Sequence, residues 1–135
     1  MKVFVDTSAW IAHFNRQDDF HQKAREVFKK KPDLLTSNAV FHETIAHLSV
    51  RVSKKAAKVA GDFICSSVVE LIPLSEEEEI SSWQRLKKSK FSISFVDMTT
   101  VILMERLNLK EIFAFDRDFL KMGFKVIPSL EKDGG

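Results

Sequence analysis

Cysteine and long apolar runs are both scarce in this 135-residue chain. The single cysteine, Cys65, excludes an internal disulfide and a cysteine-built zinc site. We expect Cys65 to be a small buried apolar residue, because it follows Phe63 and Ile64. No apolar run approaches the roughly 20 residues that span a bilayer, and the amino terminus turns acidic at Asp6, too early for a signal peptide. These absences favour a cytoplasmic protein without a membrane segment.

The net charge of +2 says little about partners, but the charges are clustered. Lysine and arginine concentrate at 29–31, 51–58 and 85–90. Solvated helix faces explain any one of these runs, whereas basic rims around an acidic centre suit a phosphate backbone. Lysines at 54–58 and 87–90 are therefore candidates for guiding a phosphate-backbone ligand, with ordinary surface helices as the alternative.

Short apolar strands alternate with helical stretches along the chain. The predicted strands are 3–5, 34–36, 68–72, 112–115 and 125–127. Strands separated by helices indicate parallel βαβ units, in which helices cover both faces of the sheet. We predict one such domain over residues 1–130 and a flexible tail over 131–135. A ligand site in this class lies beyond the carboxyl ends of the strands.

Acidic side chains stand beside apolar runs at four places in the sequence. Asp6 and Asp116 each follow a predicted strand, whereas Glu43 and Asp97 fall in predicted helices. An ionised carboxylate beside buried surface is unfavourable unless something neutralises it. Several such acids in one small domain predict a shared cation, and carboxylate oxygens suit Mg²⁺ or Mn²⁺.

Several of these residues also have a purely structural interpretation. Asp6 could cap the helix that follows the first strand. Asp97 could be the acid of a capping box that begins at Ser94. Ser8 could orient Asp6 or have no role, and Asp118 could share the site or merely begin a helix.

Glu43 lies opposite an apolar stripe on a helical wheel, formed by Phe41, Ile45, Leu48 and Val52. Ala39, Ala46 and Val50 share its side, so we interpret this helix as apolar nearly all round. His47 gives a Glu-x-x-x-His spacing, but no second histidine ligand for zinc is evident.

The order of the acids resembles the PIN domain family, specifically the short VapC-like toxins of bacterial and archaeal toxin–antitoxin pairs. The resemblance covers the chain from Met1 to about Pro128. The motifs that carry it are Val5-Asp6-Thr7-Ser8, Glu43, Val96-Asp97, and Phe115-Asp116-Arg117-Asp118-Phe119 with Gly123 and Val126.

The resemblance implies a fold, an activity and a set of site residues. The fold would be a three-layer α/β/α sandwich with a central parallel sheet. The activity would be Mg²⁺- or Mn²⁺-dependent endoribonuclease cleavage by metal-activated water, with no nucleophilic side chain. The implied catalytic residues are Asp6, Glu43, Asp97 and Asp116, the metal ligands are Asp6, Asp97 and Asp116, and the accessory residues are Ser8 and Asp118.

The resemblance also implies partners: an RNA substrate, an antitoxin protein and a second copy in a homodimer. Trp10, Phe14 and the helix at 63–64 could supply a dimer interface, although packing in the core explains these aromatic residues more simply.

Two departures from the family pattern leave a second function open. Ala114 stands where many relatives carry threonine or serine, and Met98 where a small residue is usual. Neither removes a metal ligand, but Ala114 allows a catalytically inactive PIN-like module that binds RNA or protein. A haloacid-dehalogenase-type phosphatase needs motifs beyond Asp118 for which too little chain remains. A receiver domain needs paired acids early, and Asp6 has no acidic neighbour.

Overall fold

The computed structural model describes residues 1–129. The strands are β1 Lys2–Val5, β2 Asp33–Ser37, β3 Val69–Ile72, β4 Glu111–Phe113 and β5 Lys125–Ile127. The helices are α1 Thr7–Phe14, α2 His21–Lys29, α3 Asn38–Arg51, α4 Lys54–Ile64, α5 Glu76–Lys88, α6 Phe95–Arg106 and α7 Asp118–Lys121. The predicted tail at 131–135 lies outside the described residues.

The five strands form one parallel sheet in the order β3-β2-β1-β4-β5. Parallel strands need right-handed crossovers, so the helices that lead to β2 and β3 cover one face and those that lead to β4 and β5 cover the other. Accordingly α1 packs against α2, α3 and α4, while α5 packs against α6. The predicted three-layer sandwich with a central parallel sheet is confirmed.

The central strand β1 lies where the connections change direction. The chain runs from β1 to β2 on one side, and later crosses back to place β4 on the other side. The crevice at such a switch point is where ligands bind in open parallel sheets. The Asp6 N–H donates to the Phe113 carbonyl at 2.9 Å, which holds the carboxyl ends of β1 and β4 together.

An aromatic cluster fills the space between the sheet and the helices α1, α2 and α4. The ring of Trp10, which is fully buried, meets the rings of Phe14, Phe28 and Phe63 at centroid distances of 6.3, 5.6 and 6.0 Å. Trp10 and Phe63 therefore pack in the core, as the simpler of the two interpretations predicted.

Trp10 and Thr36 are joined by hydrogen bonds within this core, whereas the buried Nδ1 of His13, whose ring packs against Phe28, has no partner among the described residues. Trp10 Nε1 donates to Thr36 Oγ1 at 3.3 Å, and that hydroxyl donates to the Val5 carbonyl at 2.9 Å. Since an unpaired buried donor is costly, this relay from α1 through β2 to β1 explains why a tryptophan and a threonine are tolerated there.

One prediction about burial is wrong and another holds in part. Cys65 is exposed, because α4 ends at Ile64 and the Cys65 N–H caps the helix by donating to the Gly61 carbonyl. In α3 the predicted Leu48 is fully buried and Phe41 and Ile45 are partly buried against the core, while Val40 and Thr44 are buried as well. Val52 is exposed because its backbone has left the helix.

Among the helices within residues 1–129, none combines the length and the apolar composition that a membrane span requires.

Candidate functional site

Asp6 occupies the position between β1 and α1. It is 3% exposed, and its Oδ2 accepts hydrogen bonds from the Ser8 N–H at 3.1 Å and the Ser8 hydroxyl at 2.6 Å. Its other oxygen, Oδ1, is buried and has no hydrogen-bond partner among the described residues. Asp6 is therefore a helix cap through one oxygen, and the second oxygen remains available to a ligand.

Burial is the main reason that the pKa of Asp6 is raised to about 6. Hydrogen bonds from the Ser8 hydroxyl and from the backbone N–H groups of Ser8 and Thr7 act in the opposite direction, and the charge of Glu43 raises the pKa further. The carboxylate of Glu43, on α3, thus acts electrostatically on the end of β1.

The Ser8 hydroxyl joins two distant parts of the chain. It donates to Asp6 Oδ2 and accepts from the Phe115 N–H at 3.0 Å, a residue 107 positions later. This bridge fixes the Asp6 carboxylate relative to the segment that carries Asp116. The geometry supports an orienting role for Ser8.

Asp97 lies in the first turn of α6, where its N–H donates to the Ser94 hydroxyl at 3.1 Å. Its side chain is half-buried, and burial raises its pKa to about 7. Repulsion from Asp6, Asp116 and Glu43 adds to this effect, and a hydrogen bond from the Ser94 backbone opposes it. The structure therefore brings the other three predicted acids, Asp6, Glu43 and Asp116, within electrostatic reach of Asp97.

Asp116 and Asp118 lie in the segment that follows β4. The Asp118 N–H donates to Asp116 Oδ1 at 2.9 Å, which holds the Asp116 carboxylate in place. Asp118 itself begins α7, and its Oδ1 lies 3.6 Å from Lys121 Nζ. Asp118 thus supports Asp116 through its backbone while its own carboxylate is paired on the surface.

Glu43 is half-buried in α3, but not for the predicted reason. Ala46 and Val50 are exposed, so the helix is not apolar all round. The helix α3 contacts α6, the helix that carries Asp97. His47 is exposed one turn later.

Two buried threonines that follow predicted site acids in the sequence were missed by the sequence analysis. Thr7 follows Asp6 and Thr44 follows Glu43, and both hydroxyls are buried without a hydrogen-bond partner among the described residues. A threonine directly after an acid, in a segment predicted to be buried, is the sequence signal that could have indicated them.

The donor set fits a hard divalent cation, although no finished metal cage is present. Within residues 1–129, no three acidic, histidine or cysteine side chains are grouped closely enough to hold a metal ion as they stand. However, the free Asp6 Oδ1 and the raised pKa values of Asp6 and Asp97 indicate carboxylates that lack a counter-charge. Carboxylate oxygens are the ligands that Mg²⁺ and Mn²⁺ prefer.

These features together define a parallel α/β sandwich with an acidic cluster at its switch point. The PIN domain family model matches residues 3–125, and the chain belongs to this family. A relative, the 23S rRNA-specific endonuclease VapC20 of Mycobacterium tuberculosis, is 35% identical over 124 residues, which cover 90% of this chain and 95% of the relative.

Solved structures resemble this fold at two levels of similarity. The crystal structure of Mycobacterium tuberculosis VapC20, a sarcin-ricin loop cleaving toxin, aligns with a TM-score of 0.86 and 34% identity over 90% of this chain and 95% of that one. VapBC2 from Rickettsia felis aligns with a TM-score of 0.67 and 17% identity, over 93% and 97% of the two chains. FitAcB from Neisseria gonorrhoeae aligns with a TM-score of 0.66 and 14% identity, over 93% of this chain and 96% of that one. At these identities, the last two structures show only that the fold is shared.

Proposed function

We propose that this chain is a Mg²⁺- or Mn²⁺-dependent endoribonuclease that hydrolyses RNA phosphodiester bonds, and the toxin of a toxin–antitoxin pair. The observation that carries the proposal is the convergence of Asp6, Glu43, Asp97 and Asp116 at the switch point of the sheet, where burial and mutual repulsion raise the pKa values of Asp6 and Asp97. The 35% identity to an RNA endonuclease supports it.

We assign the cation to Asp6, Asp97 and Asp116, and a catalytic role as ligand or water-orienting group to Glu43. When bound, the ion would supply positive charge to the substrate phosphate and lower the pKa of a water. A deprotonated carboxylate of the quartet accepts the proton of the attacking water. The remaining chemistry is positioning, because the mechanism needs no nucleophilic side chain.

Protons and the cation compete for the same carboxylates. With pKa values of about 6 and about 7, Asp6 and Asp97 are partly protonated near neutral pH. A cation must displace these protons in order to bind, so its affinity rises with pH through this range.

Ser8 and Asp118 are accessory residues that position the ligands. Ser8 holds Asp6 Oδ2, and the Asp118 N–H holds Asp116 Oδ1. Ala114 is fully buried and has no hydroxyl to offer. Because Ser8 already orients Asp6 and bonds the Phe115 N–H, the absence of a hydroxyl at position 114 leaves this part of the site oriented.

The proposed substrate is RNA in the cytoplasm, and the sarcin-ricin loop is the first sequence to test because the relative of known structure cleaves it. A toxin requires an antitoxin in the same cell, so we propose an antitoxin partner. We also propose that the chain forms a homodimer.

The test is cleavage of a synthetic sarcin-ricin loop RNA with Mg²⁺ or Mn²⁺, beside EDTA. The Asp6→Asn/Asp97→Asn double variant is the test protein, and Asp62→Asn, an exposed acid on α4, is its matched control. We expect metal-dependent cutting by wild type and the control, and at least a hundredfold less by the double variant. Cutting that survives in the double variant would defeat the site assignment.

A second candidate function is a PIN-like module that binds RNA or protein without cutting. The absence of a finished three-ligand group within residues 1–129 favours this candidate. Measuring RNA binding and cleavage on the same samples separates the two. Binding without cutting, in either metal and on several RNAs, would replace the nuclease by the binding module.

A further inference from the structure

Two phenylalanine rings form a parallel stack beside the acidic cluster. Phe20, the last residue before α2, lies on Phe115 with a centroid distance of 4.6 Å and an angle of 10° between the ring planes. Phe115 directly precedes Asp116, so the stack joins the loop between α1 and α2 to the acidic segment that follows β4. We call Phe20 and Phe115 the ring stack.

The ring stack is fixed in place by contacts on both of its members. The Phe115 ring meets Phe113, which is fully buried, at 5.9 Å and 68°, and the Phe115 N–H donates to the Ser8 hydroxyl of the site. The Phe20 N–H donates to Asp18 Oδ1 at 2.9 Å. The position of the stack relative to the acidic cluster is therefore set before any ligand binds, which reduces the free energy that ordering would cost.

The outer ring of the stack is open to solvent. Phe20 is 38% exposed although Phe115 covers one face of its ring, so the other face is left without a partner. A single exposed phenylalanine is ordinary, but a flat ring that a second ring supports from behind is the kind of surface on which unpaired nucleobases stack. Such stacking tolerates any sequence, because every base has a π-face.

A basic cavity begins in the same segment of the chain. Its volume is about 630 Å³, and its lining includes Arg16 from the loop before Phe20, Arg51 at the end of α3 and Lys55 in the first turn of α4. These three cations are exposed, and none of them forms an ion pair within residues 1–129. Positive charge beside an aromatic ring is the arrangement that holds single-stranded nucleic acid, and it favours RNA over an apolar protein segment as the occupant.

We propose that the outer face of Phe20 receives an unstacked base of the RNA, next to the phosphodiester bond that the acids cut. Phe115 sets this position, because its ring supports Phe20 and its backbone leads directly into the proposed metal ligand Asp116. The strand continues into the basic cavity, where the three cations face its phosphates. A base reaches the ring only where it has left the helix, so the site selects loops and single strands. This inference rests on the proposed nuclease and names the residue that binds its substrate.

The test compares binding of Phe20 variants to two RNAs, a synthetic sarcin-ricin loop and an unstructured strand, in EDTA. We expect Phe20→Leu to raise the RNA Kd by about tenfold or more, since leucine keeps an apolar contact with Phe115 but removes the ring. Phe20→Trp should bind at least as tightly as wild type. Phe91→Leu is the matched control and should bind like wild type, because Phe91 is 40% exposed but lies between α5 and α6.

The tryptophan variant also reports stacking directly. RNA should quench the fluorescence of Phe20→Trp more than that of wild type, since Trp10 and Trp83 are present in both proteins. A fully paired RNA duplex should not produce this difference, because its bases are stacked on one another. Far-UV circular dichroism and thermal unfolding establish that each variant is folded.

Cleavage of the same RNAs with Mg²⁺ or Mn²⁺ separates this inference from the proposed nuclease. A wild type that cuts, with a folded Phe20→Leu that binds and cuts equally well, would overturn the base-stacking site and leave the nuclease intact. Weaker binding by Phe20→Leu, restored in Phe20→Trp, with no cutting by wild type would support the stacking site and refute the nuclease.

Two other outcomes would also overturn the stacking site. If Phe20→Leu weakens binding and Phe20→Trp neither restores it nor shows the extra quenching, Phe20 acts through packing or contacts a protein partner instead. A wild type that neither binds nor cuts either RNA would overturn the stacking site and the nuclease together.

Discussion

The aromatic core beneath α1 and the acidic edge at the end of β1 are adjacent but opposite in character. In the core, aromatic rings pack together and the Trp10 N–H and the Thr36 hydroxyl have partners, although the buried Nδ1 of His13 has none among the described residues. At the edge, Asp6 Oδ1 and the hydroxyls of Thr7 and of Thr44, the residue after Glu43, have none among the described residues, and burial raises the pKa values of Asp6 and Asp97. The comparison shows apolar packing in one region and unneutralised carboxylates in the neighbouring one, as is common at functional sites.

Removing the centre of the core should produce the largest loss of stability. Trp10→Ala leaves a cavity beneath three aromatic rings, and we expect it to lower the free energy of unfolding by about 3–5 kcal/mol. Urea unfolding followed by circular dichroism measures the change. Val50→Ala, at a residue that is 79% exposed, is the control and should change the free energy by less than about 0.5 kcal/mol. Equal losses for the two variants would show that the buried Trp10 contributes no more to stability than an exposed residue.

Removing a charge at the acidic edge should have the opposite sign. The folded-state pKa of Asp97 is raised from 3.8 to about 7, so between these values the folded state binds more protons than the unfolded state. Stability therefore falls as pH rises through this window. Asparagine cannot ionise, so in EDTA we expect Asp97→Asn to become more stable than wild type by about 1–3 kcal/mol above neutral pH.

The measurement is the difference in unfolding free energy between Asp97→Asn and wild type across this window. His13, whose pKa burial lowers to about 4, titrates in both proteins and cancels in the difference. A difference that stays constant with pH would contradict the raised pKa of Asp97. Added Mg²⁺ should stabilise wild type at high pH and not the variant.

Removing the Ser8 hydroxyl, which joins Asp6 to Phe115, should reduce activity more than stability. In Ser8→Ala, Asp6 loses the side-chain hydrogen bond that lowers its pKa, so that pKa should rise. We expect cleavage to be about tenfold slower, and the acidic limb of the pH–rate profile to move to higher pH. Carboxyl NMR titration of the metal-free protein reads the Asp6 pKa directly. Thr7→Val, which removes an unpartnered hydroxyl next to the same acid, should leave that pKa nearly unchanged.

The smallest effect should come from exchanging buried threonines for valine. Thr36→Val leaves the Trp10 N–H unpaired, and we expect a loss of about 1–2 kcal/mol. Thr44→Val removes a hydroxyl without a described partner, and we expect no loss or a gain of up to about 1 kcal/mol. Thermal unfolding of the two variants measures the contrast, and losses of equal size would show that the two regions do not differ in hydrogen bonding.

Residues whose role follows from local order along the chain could be predicted from the sequence. Asp6 and Asp116 directly follow apolar runs, so their place at the strand ends follows from the strand pattern itself. Strand β4 is shorter than predicted, because the Phe115 N–H bonds the Ser8 hydroxyl and so leaves the ladder.

Features that depend on contacts between distant segments could not be predicted. Helical periodicity indicated α3 and α6 but not that the two helices contact each other, nor that Glu43 and Asp97 lie within electrostatic reach of Asp6. The environment of Glu43 was misjudged because a helical wheel shows what shares a face and not which face the sheet covers. The family resemblance supplied the grouping of the acids that the residues alone left open.

The Ser8 bridge has a consequence for a chain that is still being made. Strand β1 leaves the ribosome first, yet the Phe115 N–H that completes its site is added 107 residues after Ser8. Until then Asp6 lacks β4, and Asp116 does not exist. A partly translated chain that ends before Asp116 therefore cannot assemble its acidic edge.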